Sequence, residues 1–269
     1  MKKILTLIAC ALVLSVAPVS AQRLVIVHVN DTHSHLEPER DGAQKGRGGV
    51  VERAAYIDSL RHAVGKDKVL FLHAGDWDQG TPYFTMLGGF LEADLINALQ
   101  YDCVTFGNHE FDNGIEDLCE RVKTLKCPVV CANYDFSPFE LGQYVKPCTI
   151  VKRGGLKIGI VGALCNISTV VARDISDRIP AKDTRTEVNR WADYLKNTEH
   201  CDMVILLSHL GYQEDMSIVP DCSNIDLVIG GHSHTTLKDF SYATDKDGKT
   251  VPVIQDGSWG LSIGRIDVD

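Results

Sequence analysis

This sequence has no apolar run long enough to span a membrane: the one within its first twenty-one residues is too short, and nothing later resembles a span. Its cysteines form no CxxC pair, which argues against a thiolate zinc site. No stripe of lysine or arginine is present: 27 basic side chains face 36 acidic ones, for a formal charge of −9. That is a poor footprint for binding polymeric nucleic acid. Internal repeats, low-complexity tracts and an interdomain linker are also missing. What remains is ordinary for a globular protein, 44% apolar and 23% charged over 269 residues, a length for one large domain or two small ones.

The N-terminus reads as an export signal. Lys2 and Lys3 precede the apolar run Ile4 to Ala17, and Val19-Ser20-Ala21 is a small-residue cleavage pattern. Removal after Ala21 leaves 248 residues from Gln22, expected to be periplasmic or secreted. Leu7-Ile8-Ala9-Cys10 also looks like a lipoprotein cleavage box, the less favoured alternative because only six residues of apolar segment precede Cys10. Loss of the two lysines takes the charge to −11, so affinity for a small phosphorylated substrate needs a local positive source. Eight cysteines remain, in a compartment that permits disulfides. Cys119, Cys127 and Cys131 lie close enough in sequence to suggest one local bridge, although pairing cannot be read from spacing.

Short apolar strands each run into a polar cluster. The β-branched strand from Leu24 ends in Asn30-Asp31-Thr32-His33-Ser34-His35. In an extended backbone positions i and i+2 point the same way, so Asp31 and His33 can grip one cation. Lys68 to His73 leads to Ala74-Gly75-Asp76-Trp77-Asp78. A carboxylate after a glycine at a strand end suits bridging two metals, whereas Asp78 reads as a loop residue. Tyr101 to Phe106 leads to Gly107-Asn108-His109-Glu110-Phe111-Asp112-Asn113-Gly114, an oxygen ligand, an imidazole and a carboxylate packed between two glycines. Cys201 to Leu207 ends in Ser208-His209, and Ile225 to Ile229 delivers Gly230-Gly231-His232-Ser233-His234.

Between these clusters, helical spacing covers Val50 to Val64, Phe84 to Gln100 and Ile115 to Lys126, and Asn189 to Lys196 lies in a further helical stretch. Pro128 to Ala132 reads as a short strand. Tyr144 to Val151 with Leu156 to Ala163, and Val251 to Gln255 with Leu261 to Val268, read as hairpins. Strands alternating with helices predict an α/β domain, and open α/β sheets place their chemistry at the carboxyl ends of strands. Taken singly, each cluster also reads as a capped turn, a solvated loop or a satisfied core histidine. Five of them after five strands are much harder to dismiss.

Counted together, the candidate ligands are Asp31, His33, Asp76, Asn108, His209, His232 and His234. Nitrogen and oxygen donors without thiolate suit a pair of zinc, manganese, iron or similar divalent ions. Two such ions against two carboxylates leave a local charge of +2, or +1 with a bridging hydroxide, enough to hold a phosphate dianion. Paired ions make a nucleophile and clamp an in-line displacement at phosphorus. His109 is adjacent to a ligand, with Asp112 placed to fix its tautomer while it serves a leaving oxygen as a catalytic group.

Asp31-x-His33, Gly75-Asp76, Gly107-Asn108-His109-Glu110, Ser208-His209 and Gly231-His232-Ser233-His234 resemble, in order, the successive motifs of calcineurin-like metallophosphoesterases. The run Asn108 to Gly114 is similar to the 5′-nucleotidase branch in particular. The resemblance implies a four-layer α/β/β/α sandwich over residues 22–269. It implies one metal held by Asp31, His33, Asp76 and His234, and a second by Asp76, Asn108, His209 and His232. His109 and Asp112 match the family's catalytic pair. It further implies hydrolysis of nucleoside 5′-monophosphates by metal-bound hydroxide. Secreted members of that branch carry a C-terminal domain that clamps the base. This chain stops at Asp269, which leads to the expectation of a separately encoded specificity domain as partner, open to a pull-down. Alternative substrates for the same centre are 2′,3′-cyclic nucleotides, nucleotide sugars or a sulfur ester. A non-catalytic metal-binding or partner-docking protein is the reading of another class, and the presence of both His109 and Asp112 speaks against it.

Overall fold

The computed structural model describes residues 24–269; the expected signal segment, its cleavage site and Cys10 lie outside the described residues. Five parallel strands open the first sheet: β1 (Leu24–Val29), β2 (Val69–His73), β3 (Cys103–Thr105), β4 (Val129–Val130) and β5 (Val145–Lys146), in that spatial order. The chain then crosses at Pro147 into a second sheet. It comprises β6 (Cys148–Arg153), β7 (Leu156–Leu164), β8 (Met203–His209), β9 (Leu227–Ile229), β10 (Ser241–Thr244) and β11 (Thr250–Ile254), ordered β10-β11-β9-β8-β7-β6. Finally β12 (Gly264–Val268) returns to pair antiparallel with β1, Leu24 opposite Val268.

Among the described residues seven α-helices link these strands: α1 (Val50–Val64), α2 (Pro82–Leu87), α3 (Phe90–Leu99), α4 (Ile115–Thr124), α5 (Arg173–Ser176), α6 (Thr184–Asp193) and α7 (Tyr212–Ile218). Alternation along β1 explains the layers. Val25, Val27 and Val29 point into a core shared with Ile57 of α1, Ile96 of α3 and Leu118 of α4. Leu24 and Ile26 point the other way, onto Leu70 and Leu72 and across to Ile158, Ile160, Ile205 and Leu207 of the second sheet. A third core packs Val204 and Leu206 under Val188 and Ala192 of α6 and Ile218 of α7. The central strands of both sheets are therefore buried on both faces, which is why they read as continuous apolar runs. The architecture is the expected four-layer α/β/β/α sandwich. No helix among the described residues is long and apolar enough to cross a membrane.

Four expectations need correction. The single helix over Phe84 to Gln100 is two, because Gly88 (φ 62°) and Gly89 (φ 84°) both take left-handed backbone and break it. The hairpin drawn from Tyr144 begins only at Cys148, since Val145 and Lys146 hydrogen-bond in the first sheet. The last two strands form no hairpin: β11 and β12 lie in different sheets, and β11 pairs with β10, which the sequence pattern did not reveal. All eight described cysteines, Cys119, Cys127 and Cys131 included, are free thiols.

Candidate metal centre

Register brings the strand ends level. Val29 pairs with His73 and Leu164 with His209, so the loops after β1, β2, β3, β8 and β9 open along one edge where the two sheets meet. Asp31 and His33 are brought to the same place, though not by extended backbone. Both are left-handed, at φ 48° and 46°. The reason is that this loop runs beside the next one: the Asp31 amide donates to the Gly75 carbonyl at 2.9 Å and the His33 amide to the Asp76 carbonyl at 3.0 Å. Asp76, His232 and His234 are left-handed as well. Such conformations cost on the order of 1–3 kcal/mol each and persist only where surrounding structure dictates them.

The seven residues converge. Asp31, His33 and His234 form one group whose ligand atoms lie within 4.8 Å of one another, and Asp76, His209 and His232 form a second. His33 Nε2 is 3.0 Å from His234 Nε2 and 3.8 Å from Asp76 Oδ2, while His209 Nε2 is 3.1 Å from Asp76 Oδ2. Asn108 borders the same cavity of about 580 Å³, with His109 and Trp259 at its wall. His109 also lies within 4.8 Å of the His33 and Asp76 ligand atoms, closer than a residue merely adjacent to a ligand. Its Nδ1 is occupied by Asp112 Oδ2 at 2.8 Å.

These donors fit divalent cations. His209 Nδ1 meets the Ala74 carbonyl at 2.7 Å, which places a proton there and aims Nε2 at the carboxylates, the usual orientation of a ligating imidazole. That Nε2 is buried and, among the described residues, makes no aligned hydrogen bond despite its closeness to Asp76. Burial works to lower the His209 pKa, but Asp76 and Asp31 outweigh it and raise it to about 10. The pair of carboxylates thus calls for positive charge at this spot. Burial lowers His33 and His232, keeping these imidazoles neutral and free to ligate. His234, bonded to Asp31, is raised.

Four supporting residues were not singled out from the sequence. Glu110, fully buried, accepts hydrogen bonds from the amides of Asp76 (3.0 Å), Trp77 (2.8 Å), Asp78 (3.2 Å) and Gly107. Burial and the Asp76 charge push its carboxyl up to about 7. Arg121 is equally buried and ties Asp78 to the Glu110 carbonyl, so Asp78 is a structural anchor. Asn30 donates to Asp31 Oδ2 and to the Gly257 carbonyl, each at 2.6 Å. Gln255 holds the Gly231 carbonyl and the Ser233 hydroxyl. Only Glu110 carried a signal, as the last residue of its motif; the others depend on contacts between distant segments. Gly107 is required by close approach, since a Cβ there would strike the Asp76 carboxylate and amide.

A model of the calcineurin-like phosphoesterase family matches residues 24–236. The snake venom 5′-nucleotidase of Naja atra is 33% identical over 91% of this chain and 50% of its own length. Among solved structures, the 5′-nucleotidase precursor of Thermus thermophilus is similar with a TM-score of 0.84 and 31% identity, over 91% of this chain and 51% of that one. The NAD nucleotidase of Haemophilus influenzae gives 0.80 and 30%, over 91% and 47%. The chain spans about half the length of the curated relatives it matches.

Proposed function

The chain belongs to the calcineurin-like phosphoesterase family, and from that premise we propose that it is an exported phosphomonoesterase, dependent on two divalent cations, that hydrolyses nucleoside 5′-monophosphates to nucleoside and phosphate. The observation that carries this reading is the convergence of two carboxylates, one amide and four imidazoles from five strand ends on one cavity, with an imidazole–carboxylate pair at its wall. The names of the relatives support the substrate class. Asp31, His33, Asp76 and His234 would hold one cation, and Asp76, Asn108, His209 and His232 the other. When bound, the cations supply Lewis acidity toward the phosphoryl oxygens and activate the attacking water.

The remaining chemistry belongs to the chain. Asp112 occupies His109 Nδ1 and so orients the other ring nitrogen into the cavity. Burial acts to lower the His109 pKa, but Asp112 and Asp76 outweigh it and raise it. The shift favours the protonated imidazole, which can give Nε2–H to the leaving oxygen as the P–O ester bond breaks. General acid catalysis of this kind contributes about 10²–10⁴-fold.

Phosphate release from 5′-AMP and p-nitrophenyl phosphate, with manganese or zinc and then with chelator, tests the reading. Chelator-sensitive release is expected, and His109→Ala should retain its metal while losing at least about 10²-fold in turnover. No release from either ester with both metals tried would overturn it. Loss of metal in His109→Ala would instead make His109 a ligand. A second reading, attack on the pyrophosphate of a nucleotide sugar or dinucleotide, is favoured by the likeness to the NAD nucleotidase. Export with cleavage after Ala21 is part of the proposal and is checked by N-terminal sequencing of the mature protein.

A further inference from the structure

The wall of the metal-ligand cavity holds a side chain that neither the ligand set nor the His109–Asp112 pair accounts for. Trp259 is 41% exposed, and among the described residues it is the one large exposed aromatic side chain that borders this cavity. Its indole stacks on the His35 imidazole, ring centroids 4.7 Å apart and planes 7° from parallel. The backbone beneath is fastened to the ligand loops. The Trp259 amide donates to the Asp31 carbonyl at 2.6 Å, and the Gly257 amide to the Thr235 carbonyl at 3.0 Å. Asn30 spans the Gly257 carbonyl and the Asp256 amide. The chain holds Trp259 at φ 61°, a strained conformation for a bulky residue and one that needs such support. His35 is itself held by Glu39 at 3.0 Å. At 41% exposure the indole leaves surface open to a ligand at the edge of this cavity.

We propose that the Trp259–His35 pair is a stacking platform for the leaving group, giving this chain by itself a preference for esters whose alcohol carries a planar ring, a nucleobase above all. The inference rests on the phosphomonoesterase reading. A rigid indole offers a large π-face at low entropic cost. Base–aromatic stacking is tolerant of base identity because every base has such a face, so the platform favours nucleotides as a class over any one base. The cavity volume lies within the 300–1,000 Å³ usual for small-molecule sites, and Val170, also exposed, adds an apolar contact to its lining.

The test compares 5′-AMP with ribose 5-phosphate, which keeps the ester and lacks the base. In Trp259→Leu the ratio of kcat/KM for the two substrates should fall about tenfold, a change in the range of single stacking contacts. Trp259→Phe should restore most of it, and His35→Ala should lower it by a smaller factor. Metal content is measured for each variant, because the Trp259 amide contacts Asp31. A second arm needs no turnover: 5′-AMP should quench indole fluorescence in the wild type, much less in Trp259→Leu, and ribose 5-phosphate in neither. Equal losses on both substrates, or equal quenching by both ligands, would overturn the platform. If no ester is hydrolysed while the selective quench persists, the phosphomonoesterase reading fails and the platform stands.

Discussion

Individual residues in this protein are set by their neighbours more than by their own preferences. His28 sits on β1 facing the second sheet, in line with Leu24 and Ile26, and neither ring nitrogen has a hydrogen-bond partner among the described residues. It fits because its partner across the ladder is Gly264, where any Cβ would fall inside the imidazole. Burial lowers the His28 pKa from 6.5 to about 4. The folded state therefore refuses a proton that the unfolded state accepts once the pH drops below about 6.5. Stability is unaffected by this group above that pH and declines progressively down to about pH 4, by about 3 kcal/mol in all. Chemical denaturation at pH 7 and pH 4 should show His28→Leu losing about that much less than the wild type. An identical loss in both proteins would mean that His28 titrates normally in the fold.

At the level of elements, the site is an arrangement of loops, and Glu110 joins two of them. One carboxylate gathers amides from the loop after β2 and from its own loop after β3. Hydrogen bonds to a charged group contribute about 1.5–3 kcal/mol each, and amides left unpaired in a buried place cost about as much. Glu110→Ala should therefore destabilise the protein by about 3 kcal/mol or more in urea unfolding, and should also reduce metal content through Asp76. A variant with wild-type stability and full metal content would show that the loops hold their shape without the clamp. The same scale explains what was legible. Strand ends followed by Asp76, Asn108, His209 and His232 could be read in order, because each signal is local. The left-handed backbone at Asp31 and His33 could not, because its cause is the loop after β2, more than forty residues away.

Across the whole molecule, the candidate ligands are shared between the sheets: Asp31, His33, Asp76 and Asn108 follow strands of the first, and His209, His232 and His234 follow strands of the second. Cations bound there would link the two halves. The His232 amide, which donates to Asp31 Oδ2 at 2.9 Å, already joins them by a protein contact. A ligand present at a hundredfold excess over its dissociation constant stabilises the fold by about 2.7 kcal/mol. Manganese or zinc should accordingly raise the thermal midpoint by several degrees, chelator should reverse the gain, and Asp76→Asn should abolish most of it. If Asp76→Asn binds two equivalents with the wild-type thermal gain, Asp76 does not bridge.

By itself the sequence determined the parts whose causes are local. Apolar runs with β-branched residues make buried strands, 3.6-residue spacing makes α1 and α4, and the donors stand next to the strand ends that carry them. Tertiary structure decided everything that depends on which strands lie side by side. The switch of β5 to the first sheet and the return of β12 to β1 follow from hydrogen-bond partners absent from any local pattern. The second layer of the site has the same origin. Glu110, Asn30, Gln255 and the Trp259–His35 stack acquire their roles from residues brought near only by folding. Periodicity encodes which face of an element is apolar; it carries no information about which distant loop will lie against it.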